Sequence, residues 1–401
     1  MDPSVEYLSF IYDFRNYHSG EEKVRVERQL HKRQAKFSKL LRICKTLYPL
    51  VEEILWSSIH LFMDTVPRRP VIEAALGAGT SRRPRGEWTR ELWVTFVQPW
   101  KYNGPPQPWS IYSLFTNLRD YTLNIHDYRQ PPSFHDESLF RSDDQAADRA
   151  SKITSLSLRL KMMGEEEIQF LAKWFTSLQR LTIWVDHMPE PEVQAVATFP
   201  VLRHLSVTES SRYANHLLMV MSAPQLESLC VERGVRGSGG LEFFLGAKHT
   251  LVSLFATSIF FFPYKVKELS MTAIIYALPK LQSLDAAFDP LEDTPGTVHP
   301  DLLAMQNTVF PLEDLRLTVY YLFNKGSSLS PEELPRFLKY YFPSDWFPHI
   351  KRIVLKADIM IEDKNCADRA AHLEEAVESA MPQAEVTWLD PPESHRGLKD
   401  E

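Results

Sequence analysis

An α/β solenoid, with parallel strands lining a concave face and helices on the convex one, is the fold class this sequence predicts. Three observations carry the prediction. The phrase Leu-x-x-Leu-x-Leu recurs on a fixed beat: Leu178/Leu181/Ile183, Leu202/Leu205/Val207, Leu226/Leu229/Val231 and Leu251/Leu254/Ala256 begin 24, 24 and 25 residues apart. Helical patterns such as EEEIQFLAKWF and VKELSMTAIIYAL lie between such phrases. Six units are preceded by related short phrases, FPVL, APQL, LPKL, VFPL, FPHI and MPQA. Proline there supports a turn into the strand and keeps the preceding helix from running on.

A period of this length is that of a leucine-rich repeat. One unit cannot bury its own apolar face, so neighbours must stack. A strand, turn and helix repeated with right-handed crossover sets the strands parallel on one face. The Leu positions then point to the core, and the residues between them point out of the sheet.

Taken in order, residues 1–65 read as a small helical unit. Val5, Leu8, Ile11 and Tyr12 sit at helical spacing, and Ser19 with Glu22 makes a capping box for a second helix that Pro49 stops or kinks. A short β-like run, Ser57 to Phe62, ends the unit. Residues 66–87, rich in Pro, Gly and Arg, read as a linker. Residues 88–390 read as about eight to ten irregular repeats, roughly Trp88 to Trp388. The series opens weakly around Leu92 and Val94, then passes through Leu118/Tyr121/Leu123/Ile125. Residues 129–149 are polar and read as a mobile insertion. Ile153/Leu156/Leu158/Leu160 opens the regular section. Beyond Leu251 the units at Leu281, Leu312 and Ile350 follow at wider spacings of 30, 31 and 38 residues. Ser330-Pro331-Glu332-Glu333 reads as a helix start. A last helix is expected near Cys366–Ala380, a short strand at Val386 and Trp388, and a disordered tail over 391–401.

The composition is that of a folded chain: 44% hydrophobic and 24% charged over 401 residues. The net charge of −7 is uneven, with 16 Lys/Arg against 12 Asp/Glu in the first 100 residues. The cluster Arg68, Arg69, Arg82, Arg83, Arg85 reads as a solvated loop, since a nucleic-acid patch wants more charge and interleaved aromatics. Cys44, Cys230 and Cys366 are too far apart for a disulfide framework or zinc spacing. The N-terminus lacks the pattern of a signal peptide, and no run of 18 apolar residues is present. The expected location is the cytoplasm or nucleus, with no membrane partner.

Catalytic chemistry finds little support. GAGTSRR at Gly77 lacks the phosphate-loop ending, and SGGLEFF near Gly239 reads as a turn into a helix. His126, Asp127, His135 and Asp136 have no recognised ligand spacing. Glu165–Glu167 suit a helix start. No catalytic, cofactor or metal site is expected, and the chain reads as a binding protein.

The outward strand positions are the candidate site. By register they include Arg159, Arg180, Trp184, His204, Glu232, Phe255, Asp285, Arg316 and Tyr320, with Arg352 and Lys356 beyond. Trp and Arg are the side chains most enriched at binding hot spots, with Tyr close behind. The mixed signs of Arg180 and Glu232 favour a protein partner over nucleic acid, which wants uniform positive charge.

The phrases LQRLTIWV, LRHLSVTE, LESLCVER and LEDLRLTV resemble leucine-rich-repeat proteins of the F-box type, in the irregular form common among fungal F-box proteins. Asp186, Asp289 and Asp358 stand where many such repeats carry an Asn ladder. The N-terminus is similar to a degenerate F-box. Asp2-Pro3 precedes Val5, Leu8 and Ile11; Ile43-Cys44-Lys45-Thr46-Leu47 follows, with Leu47 where Trp is usual; LWSSIHL from Leu55 looks like the exit into the first strand. The resemblance implies docking on the Skp-type adaptor of a cullin-RING ubiquitin ligase through Pro3, Leu8, Ile11, Ile43 and Cys44, with the repeats capturing a substrate. The alternative is that these five residues form the core of a helical cap on a binding scaffold, since solenoids need their ends hidden.

Overall fold

The computed structural model describes residues 48–63, 75–77, 83–96, 115–125, 144–187, 196–209, 216–231, 237–256, 274, 275, 277–288, 309–319, 333–357 and 366–389. Alternating apolar residues make strands β1 (Ser58–Met63), β2 (Glu91–Phe96), β3 (Asp120–Asn124), β4 (Ser155–Met162), β5 (Arg180–His187), β6 (Ala197–Thr198) and β7 (His204–Glu209). They continue as β8 (Met221–Ser222), β9 (Ser228–Val231), β10 (Ser253–Ala256), β11 (Ser283–Phe288), β12 (Asp314–Val319), β13 (Arg352–Ala357) and β14 (Glu385–Trp388). The helices are α1 (Tyr48–Ser57), α2 (Asp144–Ser151), α3 (Glu165–Trp174), α4 (Gly237–Gly246), α5 (Glu333–Tyr341) and α6 (Cys366–Ala380), with 3-10 turns at Arg85–Trp88 and His216–Val220.

Twelve strands form one sheet in the order β1-β2-β3-β4-β5-β7-β9-β10-β11-β12-β13-β14, and every pairing is parallel. Parallel neighbours require a crossover between them. The helices α2 to α6 are drawn from those crossovers, with α2 packed on α3 and α5 on α6. β6 and β8 form a separate parallel pair beside α3 and α4.

The register explains why the phrase recurs. Leu156, Leu181, Leu205, Leu229, Leu254 and Leu284 are partners strand to strand, each 2% exposed or less. Two residues on, Leu158, Ile183, Val207, Val231, Ala256 and Ala286 repeat the arrangement at 1% or less. Burying one such Leu, Ile or Val contributes about 1.5–3 kcal/mol.

A backbone device repeats with them. The carbonyl just before a strand accepts two N–H groups from the next one. Thr154 O takes Gln179 and Arg180 at 2.8 and 3.0 Å, Val252 O takes Gln282 and Ser283 at 2.8 and 3.0 Å, and Glu313 O takes Lys351 and Arg352 at 2.9 and 3.2 Å. The same pattern holds across units of 24 and of 38 residues.

The proline phrases become four-residue turns. Leu202, Leu226, Leu281, Ile350 and Ala384 donate their N–H to Phe199, Ala223, Leu278, Phe347 and Met381, with proline second in each turn. Phe115–Leu118 and Phe175–Leu178 make the same turn without proline. At Glu165 the expected helix start is built by Glu167, whose carboxylate accepts the Gly164 N–H at 2.7 Å.

Three expectations need correction. The N-terminal unit does not extend to residue 65, because β1 is the first strand of the sheet, paired with β2 from Ser58 to Met63. Pro49 is the second residue of α1, where a fixed φ and a missing N–H are tolerated; the helix expected before it lies outside the described residues. The 129–149 insertion is not irregular to its end: from Asp144 the chain is α2, with Ala150 fully buried and an Asp148–Lys152 ion pair one turn apart. Arg85 is not a solvated loop residue. Its Nε donates at 2.8 Å to Glu52, whose side chain is only 4% exposed, and its N–H meets Gly77 O. The capping motifs at Ser19 and Ser330, the tail 391–401, and the group from His126 to Asp136 lie outside the described residues.

Candidate interaction face

Side chains alternate across a strand, so each strand that buries its Leu row sends the intervening residues to the other face. Three rows result on this open face. The first runs through Asp120, Ser155, Arg180, His204 and Ser228, and further along through Asp314, Arg352 and Glu385. The second runs through Thr182, Ser206, Cys230, Phe255, Asp285 and Arg316. The third holds Asn124, Arg159, Trp184 and Thr208, and beyond them Thr318 and Lys356.

The third row carries the firmest contact. Arg159 and Trp184 are register partners, and the guanidinium carbon stands 4.1 Å from the centroid of the indole ring. Trp184 is therefore half-buried beneath a cation rather than bare. A stack of this kind contributes about 0.5–2 kcal/mol, and it fixes both side chains.

In the first row Arg180 Nη2 reaches Asp120 Oδ1 at 2.9 Å. Ser155 lies between them in register and is short enough to be crossed. Arg352 Nε meets Asp314 Oδ1 on the adjacent strand at 2.9 Å, and this hydrogen bond is the main reason its pKa is raised further. One residue earlier on the strands, Arg203–Glu227 and Lys351–Glu313 pair at 2.9 and 2.8 Å. Exposed pairs of this type stabilise by about 0–1 kcal/mol each; their larger effect is to neutralise the row. Trp93 Nε1 donates to Glu91 Oε1 at 2.7 Å on the same strand.

His204 sits next to Arg180 in the first row. Desolvation by its neighbours lowers its pKa, the charges of Arg180 and Arg203 add to that, and Glu227 opposes it. The ring is therefore biased toward its neutral form, able to donate one hydrogen bond and accept another.

Of the expected binding residues, Arg159, Arg180, Trp184, His204, Phe255, Asp285 and Arg316 are on the described open face. They do not form a single cluster. Arg159 with Trp184 and Arg180 with His204 lie on β4–β7, whereas Phe255, Asp285 and Arg316 lie on β10–β12. Glu232 and Tyr320 are outside the described residues, as are Pro3, Leu8, Ile11, Ile43 and Cys44. The carboxylates Asp120 and Asp314 escaped the sequence reading. Each occupies the position just before the first core residue of its strand, the same position as Arg180, and that spacing is the signal that identifies them.

Among the described residues the face offers hydroxyls, paired charges and the rings of Trp93, Trp184 and Phe255. Among the described residues no group of three or more His, Cys, Asp or Glu could hold a metal ion, and no helix is long and apolar enough to cross a membrane. No protein-family model matches the chain, and no curated protein is significantly similar to it.

Proposed function

We propose that the chain is a non-catalytic protein-interaction module: an irregular leucine-rich-repeat solenoid that captures another protein on its concave face. The observation that carries this reading is the Arg159–Trp184 stack, set in a face whose rows are locked strand to strand. Rigid elements hold contacts with little ordering cost, and Trp and Arg dominate binding hot spots. A cytoplasmic or nuclear location goes with it, and no cofactor is part of it.

The N-terminal resemblance extends the reading to a substrate receptor of a cullin-RING ubiquitin ligase. In that role Pro3, Leu8, Ile11, Ile43 and Cys44 contact the Skp-type adaptor. The alternative is a binding scaffold whose N-terminus only caps the repeats. Co-purification of the full chain with the adaptor separates the two. Wild type should retain the adaptor and a Leu8→Glu/Ile43→Glu double variant should lose it; equal recovery, or none from either, favours the scaffold.

Capture on the open face has its own test. Trp184→Ala should weaken binding of the captured protein by about 2 kcal/mol, whereas Lys339→Ala, on the exposed side of α5, should leave it unchanged. Loss with Lys339→Ala alone would place the partner on the helices.

A further inference from the structure

Ahead of β2 the turn Arg85–Trp88 is gripped from two sides. One side is α1. Glu52 and Trp56 lie one helical turn apart and face the turn, while Leu50, Glu53 and Ile54 are exposed. Arg85 Nε donates to Glu52 Oε1 at 2.8 Å, and its guanidinium carbon stands 5.9 Å from the centroid of the Trp56 ring. Thr89, fully buried, donates through Oγ1 to Trp56 O at 2.7 Å, and the Arg90 N–H meets Ser57 O at 2.9 Å. The other side is the turn before β3, where Asn117 Nδ2 donates to Glu87 O at 2.6 Å. Burial sets this ion pair apart. The Glu52 side chain is 4% exposed, whereas both partners of every open-face or rim pair named above are more than a quarter exposed.

Burying a carboxylate beside a cation is a poor way to gain stability. Desolvation offsets most of the attraction, and apolar side chains of similar volume serve as well or better. What a hydrogen-bonded pair does supply is direction. Its donor and acceptor meet at one distance and angle, whereas apolar contact is non-directional and tolerates sliding. We infer that Glu52–Arg85 is a positioning pair, which selects one seating of α1 on the β2 end of the sheet. The seating reaches the sheet through Asn117 on Glu87 and through β2, which begins one residue after Arg90. α1 and the open face then move as one body, and whatever is attached to α1 keeps a set place relative to that face. The pair acts in this way whether or not the face captures a protein.

Double electron–electron resonance on the full chain tests this, with Cys44, Cys230 and Cys366 replaced by Ser. One spin label goes on Ile54→Cys, exposed on α1, and the other on Gln282→Cys, exposed just before β11. Eight strand steps of about 4.8 Å separate β1 from β11, roughly 38 Å, within reach of the method. A control pair, Gln179→Cys and Glu385→Cys, lies within the sheet. With Glu52 and Arg85 in place, the α1 label should give one narrow distance. Glu52→Leu/Arg85→Met should melt at the same temperature or higher, yet lose that narrow peak while the control distance stays narrow. If this variant melts early, Glu52→Met/Arg85→Leu, which moves the longer side chain to the helix, replaces it. Early melting of both overturns the inference, since the pair would then hold the helix on and not choose its seating. A narrow distance that survives in a stable apolar variant also overturns it, because packing alone would seat α1. So does a broad distribution with the native pair in place. A control distance that broadens together with the first puts the change in the sheet, and overturns it as well.

Discussion

The stretches from β4 to β10 and from β11 to β14 meet the same structural requirement with different lengths of chain. In the first, Leu phrases follow every 24 or 25 residues; approaching and within the second, the spacing widens to 30, 31 and 38. The register does not change. Leu254 pairs with Leu284, Leu284 with Leu315, and Leu315 with Ile353, as Leu181 pairs with Leu205. The two-donor carbonyl recurs at Gln179 and at Glu313 alike. Register is thus set by the strand phrase and the turn before it. The added residues fall, in sequence, between one strand and the turn before the next.

What fills the wider units differs as well. Around α5, Phe310 stacks on Phe347 with centroids 5.0 Å apart, Phe342 meets Phe347 edge-on at 5.2 Å, and Phe337 lies 4.7 Å from Tyr341. Large rings cover more apolar area per residue than aliphatic side chains, which suits a layer that must span longer connections. The narrow units bury rings too, among them Phe199 and Phe244, but in looser pairs such as Phe170 and Phe175, with centroids 6.5 Å apart.

This comparison can be broken at several points. The largest effect is expected at Leu181, in the narrow region. Leu181→Asp places an unpaired carboxylate where the side chain is 1% exposed, a cost of several kcal/mol. Limited proteolysis should show early cleavage on both sides of β5, and an unchanged cleavage pattern would mean that the row is not the core. Phe347→Ala should cost about 3–5 kcal/mol in denaturant unfolding. It should open the wide region first, with β4–β7 cleaved later. A loss below about 1 kcal/mol would show that the aromatic layer is dispensable.

The smallest effect is at His204. Its pKa in the folded chain lies below 6.5, so the unfolded chain binds the proton more readily. The stability this contributes is fully present above about pH 6.5 and is lost as pH falls through the lowered folded value. The group is exposed on the sheet face, so screening keeps the effect small. Denaturation midpoints of wild type and His204→Asn should diverge only on the acid side, with wild type declining more. Parallel curves would mean that Arg180 and Arg203 do not act on the ring.

How much of this was legible in the sequence follows from the same physics. Leu181 and Leu205 announce themselves because each strand repeats its apolar spacing, and five of the six proline phrases mark real turns because proline fits the second turn position. β1 was assigned to the wrong unit, since Ser58–Met63 has no Leu-x-x-Leu phrase before it. α2 was missed because Asp144–Ser151 mixes charges with alanine and reads as polar, although alanine is the best helix former. The Arg85–Glu52 and Arg180–Asp120 pairs join residues 33 and 60 positions apart. Such pairs are invisible until the register is known. For the binding face, the sequence indicated which residues point outward. It did not indicate that Arg159 would lie on Trp184.

The central claim is that one register holds from end to end and leaves the same alternate residues open in narrow and wide units. Alkylation rates of single cysteines test it most directly, with Thr182→Cys and Lys356→Cys on the open face and Ile183→Cys and Leu355→Cys in the covered row. The open positions should react at least about tenfold faster than the covered ones in both β5 and β13, because a covered thiol reacts only through local opening. Fast reaction at Leu355→Cys, or slow reaction at Lys356→Cys with the β5 pair as expected, would show that the register slips in the wide region and would contradict the account.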